Sequence, residues 1–119
     1  MLINLSNHPS EKWDENQKNT AEQMFGNVVD MPFPTVDPQG DEAYVYNLAD
    51  DFVQRILNLN IDDKVVVHIM GEMNFTYVVV SMLKQFDIEC VASTTMRYVS
   101  ENKKGEKIVT FEFEQFRKY

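Results

Sequence analysis

Val65-Val66-Val67-His68-Ile69-Met70-Gly71-Glu72-Met73-Asn74-Phe75-Thr76 is the stretch whose reading decides the fold. It opens with β-branched apolar residues, broken by His68, and turns at Gly71. A second apolar run follows, Tyr77-Val78-Val79-Val80-Ser81-Met82-Leu83. An apolar run with no polar face predicts a strand buried on both sides, the usual state of a central parallel strand. Gly71 marks a tight turn or a close approach of the backbone to another group. Asn74 is the expected N-cap of a helix over about Phe75 to Phe86. By propensity Val78-Val79-Val80 suits a strand. A helix is preferred here because a parallel neighbour strand needs a crossover. In an open α/β sheet, a strand, a glycine turn and a helix N-terminus together hold ligands, because free N–H groups gather there.

The flanking sequence repeats this alternation. Met1 to Leu5 is a short apolar strand, ended by Ser6-Asn7-His8-Pro9-Ser10. Asp14-Glu15-Asn16-Gln17 has the form of a capping box. It predicts a helix from about Glu15 to Phe25, closed by Gly26. Asn27 to Met31 is a second strand, stopped by Pro32 and Pro34. Asp41 caps a helix whose apolar positions, Val45, Leu48, Ala49, Phe52, Val53, Ile56 and Leu59, recur at three and four residues. Its end lies between Asn58 and Asp63. Lys64 to Met70 is the third strand, and Glu89 to about Ser93 the fourth. Met96–Glu101 and Lys107–Glu114 flank Asn102-Lys103-Lys104-Gly105-Glu106, a hairpin turn by composition. Val109, Phe111 and Phe113 give the last strand one apolar face. The expected fold is α/β: a Rossmann-like open sheet, mostly parallel, with three helices and a C-terminal β-hairpin. One domain is expected over residues 1–119.

Composition removes several function classes. A net charge of −8 disfavours a protein that coats long nucleic acid, which would need a basic face. Local N–H groups and one or two cations can still hold a small anion. The single cysteine, Cys90, sits in an apolar run, reads as a buried thiol, and fits a reducing cytoplasm. No apolar run nears the ~20 residues of a membrane span, and no signal peptide is apparent. GxGxxG, Walker, G-x-S-x-G and C-x-x-C motifs are all missing, which lowers the case for dinucleotide enzymes, NTPases, serine hydrolases and thiol redox enzymes. The histidines and the cysteine have no metal-ligand spacing.

Three segments should reach the carboxyl edge of the sheet: Ser6-Asn7-His8, Gly71 to Thr76, and Ser93-Thr94-Thr95. Each is rich in groups that bond a phosphate or a base edge. His8 can act as a general acid or base, or it bonds a loop carbonyl. His68 reads as a satisfied core histidine. Trp13, beside Lys12, either stacks an adenine or packs over the sheet edge or in a dimer interface. Arg97 either pairs with a phosphate or is an ordinary strand residue in a solvated hairpin. Glu72 is out of place beside an anion; it faces away, bonds a ribose hydroxyl, or serves as a base.

Leu5-Ser6-Asn7-His8-Pro9 followed by Trp13 resembles the Ser-x-His-Pro-x-x-x-Trp opening of one group of small CRISPR-associated proteins. These look like minimal, single-domain forms of the CARF (CRISPR-associated Rossmann-like) fold. The family's glycine-containing turn corresponds to His68 through Thr76, and its hydroxyl-rich turn to Ala92-Ser93-Thr94-Thr95. The turn departs from the Gly-Gly-Thr form of larger CARF domains.

The resemblance implies a homodimer that binds a cyclic oligoadenylate, with cyclic tetra-adenylate favoured, across its two-fold axis. In such ring nucleases the ligand's own 2′-hydroxyl attacks the adjacent phosphate, leaving a 2′,3′-cyclic phosphate and requiring neither metal nor cofactor. The enzyme would switch off type III CRISPR signalling, a branch of antiviral defence. The protein's part is to position that hydroxyl and stabilise the phosphorane charge. Ser6, Asn7 and His8 would sit at the reacting phosphate. Gly71 and Asn74 would donate to the ligand, with Glu72, Met73 and Thr76 on the same turn. Ser93, Thr94 and Thr95 would line the pocket beside Trp13, and Arg97 or Lys12 would neutralise charge. Two other readings remain: a non-catalytic binder or sensor of the same messenger, and an α/β interaction domain that dimerises through the hairpin face around Phe111 and Phe113.

Overall fold

A computed structural model of the chain describes residues 1–59 and 61–119. Five strands form one sheet in the order β2-β1-β3-β4-β5. They are β1 (Leu2–Ser6), β2 (Val28–Asp30), β3 (Val66–Met70), β4 (Glu89–Glu101) and β5 (Lys107–Lys118). The first four run parallel, and β5 returns antiparallel to β4. Three helices connect them: α1 (Glu15–Phe25), α2 (Glu42–Leu57) and α3 (Met73–Gln85). This is the expected α/β architecture, with β3 as the central strand. None of the described helices is long and apolar enough to cross a membrane.

The period-two alternation of the strands sorts two cores onto opposite faces. Ile3, Leu5, Val67 and Ile69 face α2 and α3 and join Phe52, Phe75, Val79 and Leu83 in the larger core. Leu2, Val66 and Val91 face α1 and pack with Trp13, Ala21, Phe113 and Phe116. The other residues of the α1 face of β1 and β3 are Asn4, Ser6, His68 and Met70. Polar groups therefore sit on one face of the sheet, toward its carboxyl edge.

Local signals held at most element ends. Asp14 caps α1 by accepting the Gln17 N–H at 2.7 Å, and Gly26, at φ 83°, closes it. Asp41 caps α2 through the Tyr44 N–H at 2.9 Å. The α2 end expected between Asn58 and Asp63 is capped at Asn58, and residue 60 of that interval lies outside the described residues. Gly105, at φ 78°, shapes the hairpin turn.

Three expectations are corrected. Asn74 is not the cap of α3. Glu72 is: its backbone is non-helical (φ −52°, ψ 131°), and its carboxylate accepts the N–H groups of Asn74 at 3.1 Å and Phe75 at 2.7 Å. A negative charge satisfies the first turn and complements the helix dipole, so α3 begins at Met73 rather than Phe75. Next, β4 does not stop near Ser93. It runs through a bulge at Thr94/Thr95 directly into the hairpin. The bulge redirects the strand, and the ribbon beyond it leaves the body. Finally, of the expected apolar face Val109, Phe111 and Phe113, only Phe113 is buried, next to Phe116, while Phe111 is 64% exposed.

Candidate functional site

The register of the sheet places three polar residues in one row. Asn4 of β1 pairs with Asp30 on one side and His68 on the other. Asn4 and His68 are each 1% exposed. Buried polar groups need partners, and here every one is engaged. The Asn4 Nδ2 donates to Asp30 Oδ1 at 2.8 Å and to the His8 carbonyl at 2.9 Å. Its Oδ1 accepts the Ser6 hydroxyl at 2.7 Å and faces His68 Nδ1 at 2.8 Å. His68 Nε2 lies 3.2 Å from the Ser93 Oγ. Burial, with the nearby His8 adding to it, pushes the pKa of His68 down to about 4. The imidazole is therefore neutral at physiological pH. Burial raises the Asp30 carboxyl, but hydrogen bonds from Asn4 and from the side chain and backbone of Ser10 outweigh it, so it titrates below its usual value.

This row fastens the loop above it. The His8 N–H donates to Ser6 Oγ at 3.2 Å, closing a tight turn. The Trp13 indole N–H donates to the His8 carbonyl at 3.1 Å, and its ring meets His68 edge-on with centroids 5.4 Å apart. The Ser10 N–H and hydroxyl hold Asp30 at 3.1 and 2.8 Å. Lys12 ends a single 3-10 turn, Ser10–Lys12, and its carbonyl lies 3.3 Å from the His8 Nε2. That carbonyl can only accept, so the Nε2 carries a proton and the Nδ1 of a neutral His8 is bare.

Above the polar row is an open cleft of about 460 Å³. Ser6, Asn7, His8, Lys12 and Trp13 line one side. His68, Met70 and Gly71 form the floor, and Ser93, Thr95, Phe111 and Phe113 the other side. Loops after β1 and β3 and the middle of β4 thus meet at the carboxyl edge of the sheet, where open α/β sheets hold ligands.

A family model described as "Uncharacterized protein MJ1673 family" matches residues 1–117. The chain belongs to the MJ1673 family. None of the curated proteins matches it.

In this MJ1673 family member, eight of the fourteen candidate site residues line the one cleft: Ser6, Asn7, His8, Lys12, Trp13, Gly71, Ser93 and Thr95. The others lie elsewhere. Met73 and Thr76 border a second, more apolar depression with Tyr77 and Tyr119. Asn74 faces a third hollow beside the α2 start, and its N–H is already held by Glu72. The Thr94 hydroxyl donates to the Gln115 carbonyl at 3.3 Å. Arg97 is exposed on β4, opposite Phe111 and past the bulge. The close approach that Gly71 permits is to a side chain: a Cβ there would overlap the Phe33 ring.

Asn4, Asp30 and His68 support the cleft and were not among the sequence candidates. Asn4 and Asp30 are 26 residues apart and Asn4 and His68 64 apart. The one available signal was polar residues inside two otherwise apolar strands, Asn4 in β1 and His68 in β3, which become partners once those strands are paired.

Proposed function

We propose that this protein binds a cyclic oligoadenylate at the carboxyl edge of its sheet and opens the ring by metal-independent transesterification. The ligand's 2′-hydroxyl attacks the neighbouring phosphorus, the bond from phosphorus to the 5′-oxygen breaks, and the product ends in a 2′,3′-cyclic phosphate. The supporting observation is convergence. Each of the three segments that resemble ring-nuclease motifs sends residues to one cleft: Ser6, Asn7, His8, Lys12 and Trp13 from the first, His68, Met70 and Gly71 from the glycine turn, and Ser93 and Thr95 from the hydroxyl-rich turn. On the loop side the cleft is lined by Lys12 and His8, with Asp14 beside them. The Lys12 ammonium suits a phosphate, and His8, in its imidazolium form with a proton on Nδ1 as well as on Nε2, suits protonating the departing 5′-oxygen. We assign the cytoplasm as its compartment and type III CRISPR signalling as the response it ends.

A homodimer fits a ring with internal symmetry. The ribbon beyond the bulge supports this, since it exposes Met96, Tyr98, Val99, Ile108, Val109 and Phe111. A two-stranded ribbon is marginal alone, and a second copy would cover it.

One observation favours a non-catalytic binder of the same messenger. The Ser6 hydroxyl donates to Asn4 and accepts from His8, so it serves the loop rather than a reacting phosphate. Incubation with cyclic tetra-adenylate, with and without EDTA, separates the two readings by chromatography. Linear product in EDTA supports cleavage; an intact but bound ring supports the binder. A ring that neither binds nor opens sinks both.

A further inference from the structure

The direction of every proton in the buried row can be worked out from groups that act in one sense only. Asp30 is a carboxylate and the His8 carbonyl only accepts, so the Asn4 nitrogen must face them, as it does at 2.8 and 2.9 Å. The Asn4 oxygen then faces Ser6 and His68 and can only accept. The Nδ1 of His68 at 2.8 Å must therefore carry the proton. A neutral imidazole with a protonated Nδ1 has a bare Nε2, which accepts. The Ser93 Oγ is 3.2 Å from that nitrogen. The Met70 sulfur is also near, at 3.1 Å from the Oγ, but it already takes the Ser93 N–H at 3.3 Å. A thioether is a weak acceptor beside an imidazole nitrogen. The single Ser93 proton goes to His68, and the oxygen is left with lone pairs on the wall of the cleft.

We infer that Ser93, its proton turned inward by the His68–Asn4–Asp30 row, is a hydrogen-bond acceptor that reads the ribose 2′-hydroxyl of the ligand. This rests on the cyclic oligoadenylate reading given above and adds the residue that tells a ribose ring from a deoxyribose ring. Most hydroxyl side chains can donate or accept as the ligand demands; this one is committed. It favours a ligand donor and gives nothing to a phosphate oxygen. A 2′-hydroxyl stands beside the phosphate-bearing 3′-carbon, so an acceptor in the same cleft as Lys12 and His8 meets it when they meet the phosphate. Binding is read from association and dissociation rates before turnover, so the test serves binder and nuclease alike.

Dissociation constants for cyclic tetra-adenylate and for its 2′-deoxy counterpart are measured with wild type, Ser93→Ala and Ser93→Thr. Wild type should favour the ribose ring by roughly three- to tenfold, the range of one neutral hydrogen bond. Ser93→Ala should bring the ratio near one by weakening the ribose ring alone, and Ser93→Thr should restore it. A preference that persists in Ser93→Ala, or a wild type that binds both rings equally, overturns the role of Ser93 while leaving the ligand class standing. A wild type that binds neither ring overturns the ligand class, and the inference with it.

Discussion

Replacing Asn4 by alanine should cost far more stability than the loss of one small side chain suggests. The side chain has four partners within 2.9 Å: Asp30, the His8 carbonyl, Ser6 and His68. Three have fallbacks. Asp30 keeps Ser10, the His8 carbonyl keeps the Trp13 indole, and the Ser6 hydroxyl can swing to the His8 carbonyl at 3.2 Å. The His68 Nδ1–H has none, and it is buried. An orphaned buried donor costs about 1–3 kcal/mol, and a lost bond to a charged group adds about 1.5 kcal/mol or more. The expected destabilisation is therefore about 3 kcal/mol, a large part of the ~5–15 kcal/mol of a domain. With a urea slope of about 1.5 kcal/mol/M, the unfolding midpoint should fall by roughly 2 M. Asn7→Ala, at the exposed neighbour, is the control and should move it little. A shift below about 0.5 M for Asn4→Ala would refute the view that this row is a closed, dry network.

Three further outcomes are expected. His68 titrates at about 4 when folded and at the ordinary 6.5 when unfolded. Between those values the unfolded chain binds a proton that the folded chain refuses, so stability rises with pH across that window and is fully present above it. Acidification from pH 7 to about 4 should remove up to about 3 kcal/mol in urea titrations, and a flat profile over that range counts against a buried neutral imidazole. Gly71→Ala should lower stability by about 1–3 kcal/mol through overpacking, because its Cβ would displace the Phe33 ring, which meets Phe75 at 5.1 Å; an unchanged melting temperature would contradict this. His8→Ala should slow ring opening on the order of a hundredfold while changing ring affinity much less, and a wild-type cleavage rate would remove His8 from the reaction.

Much of the fold could be read locally. The Asp14 and Gly26 ends of α1, the Asp41 cap of α2 and the Gly105 turn each depend on residues within a few positions of one another. The helix after Gly71 followed from crossover logic, against the strand propensity of Val78-Val79-Val80. The parts that escaped depend on distant partners. Gly71 marks a tight turn or a close approach, but its local sequence does not show that the group approached is Phe33, 38 positions earlier, brought in by the loop after β2. Glu72, out of place beside an anion by sequence, caps α3 through N–H groups that only the folded turn brings to it. His68 was correctly read as a satisfied core histidine, yet its partners Asn4 and Ser93 give it a second place, under the cleft. Phe111 is exposed in the ribbon past a bulge that no local pattern marks.

The most direct measurement is a calorimetric titration of the purified protein with cyclic tri-, tetra- and hexa-adenylate. The expected result is saturable binding of one ring size, cyclic tetra-adenylate first, at one ring per two chains. No heat and no saturation with any of the three would contradict the central claim that this cleft receives a cyclic oligoadenylate.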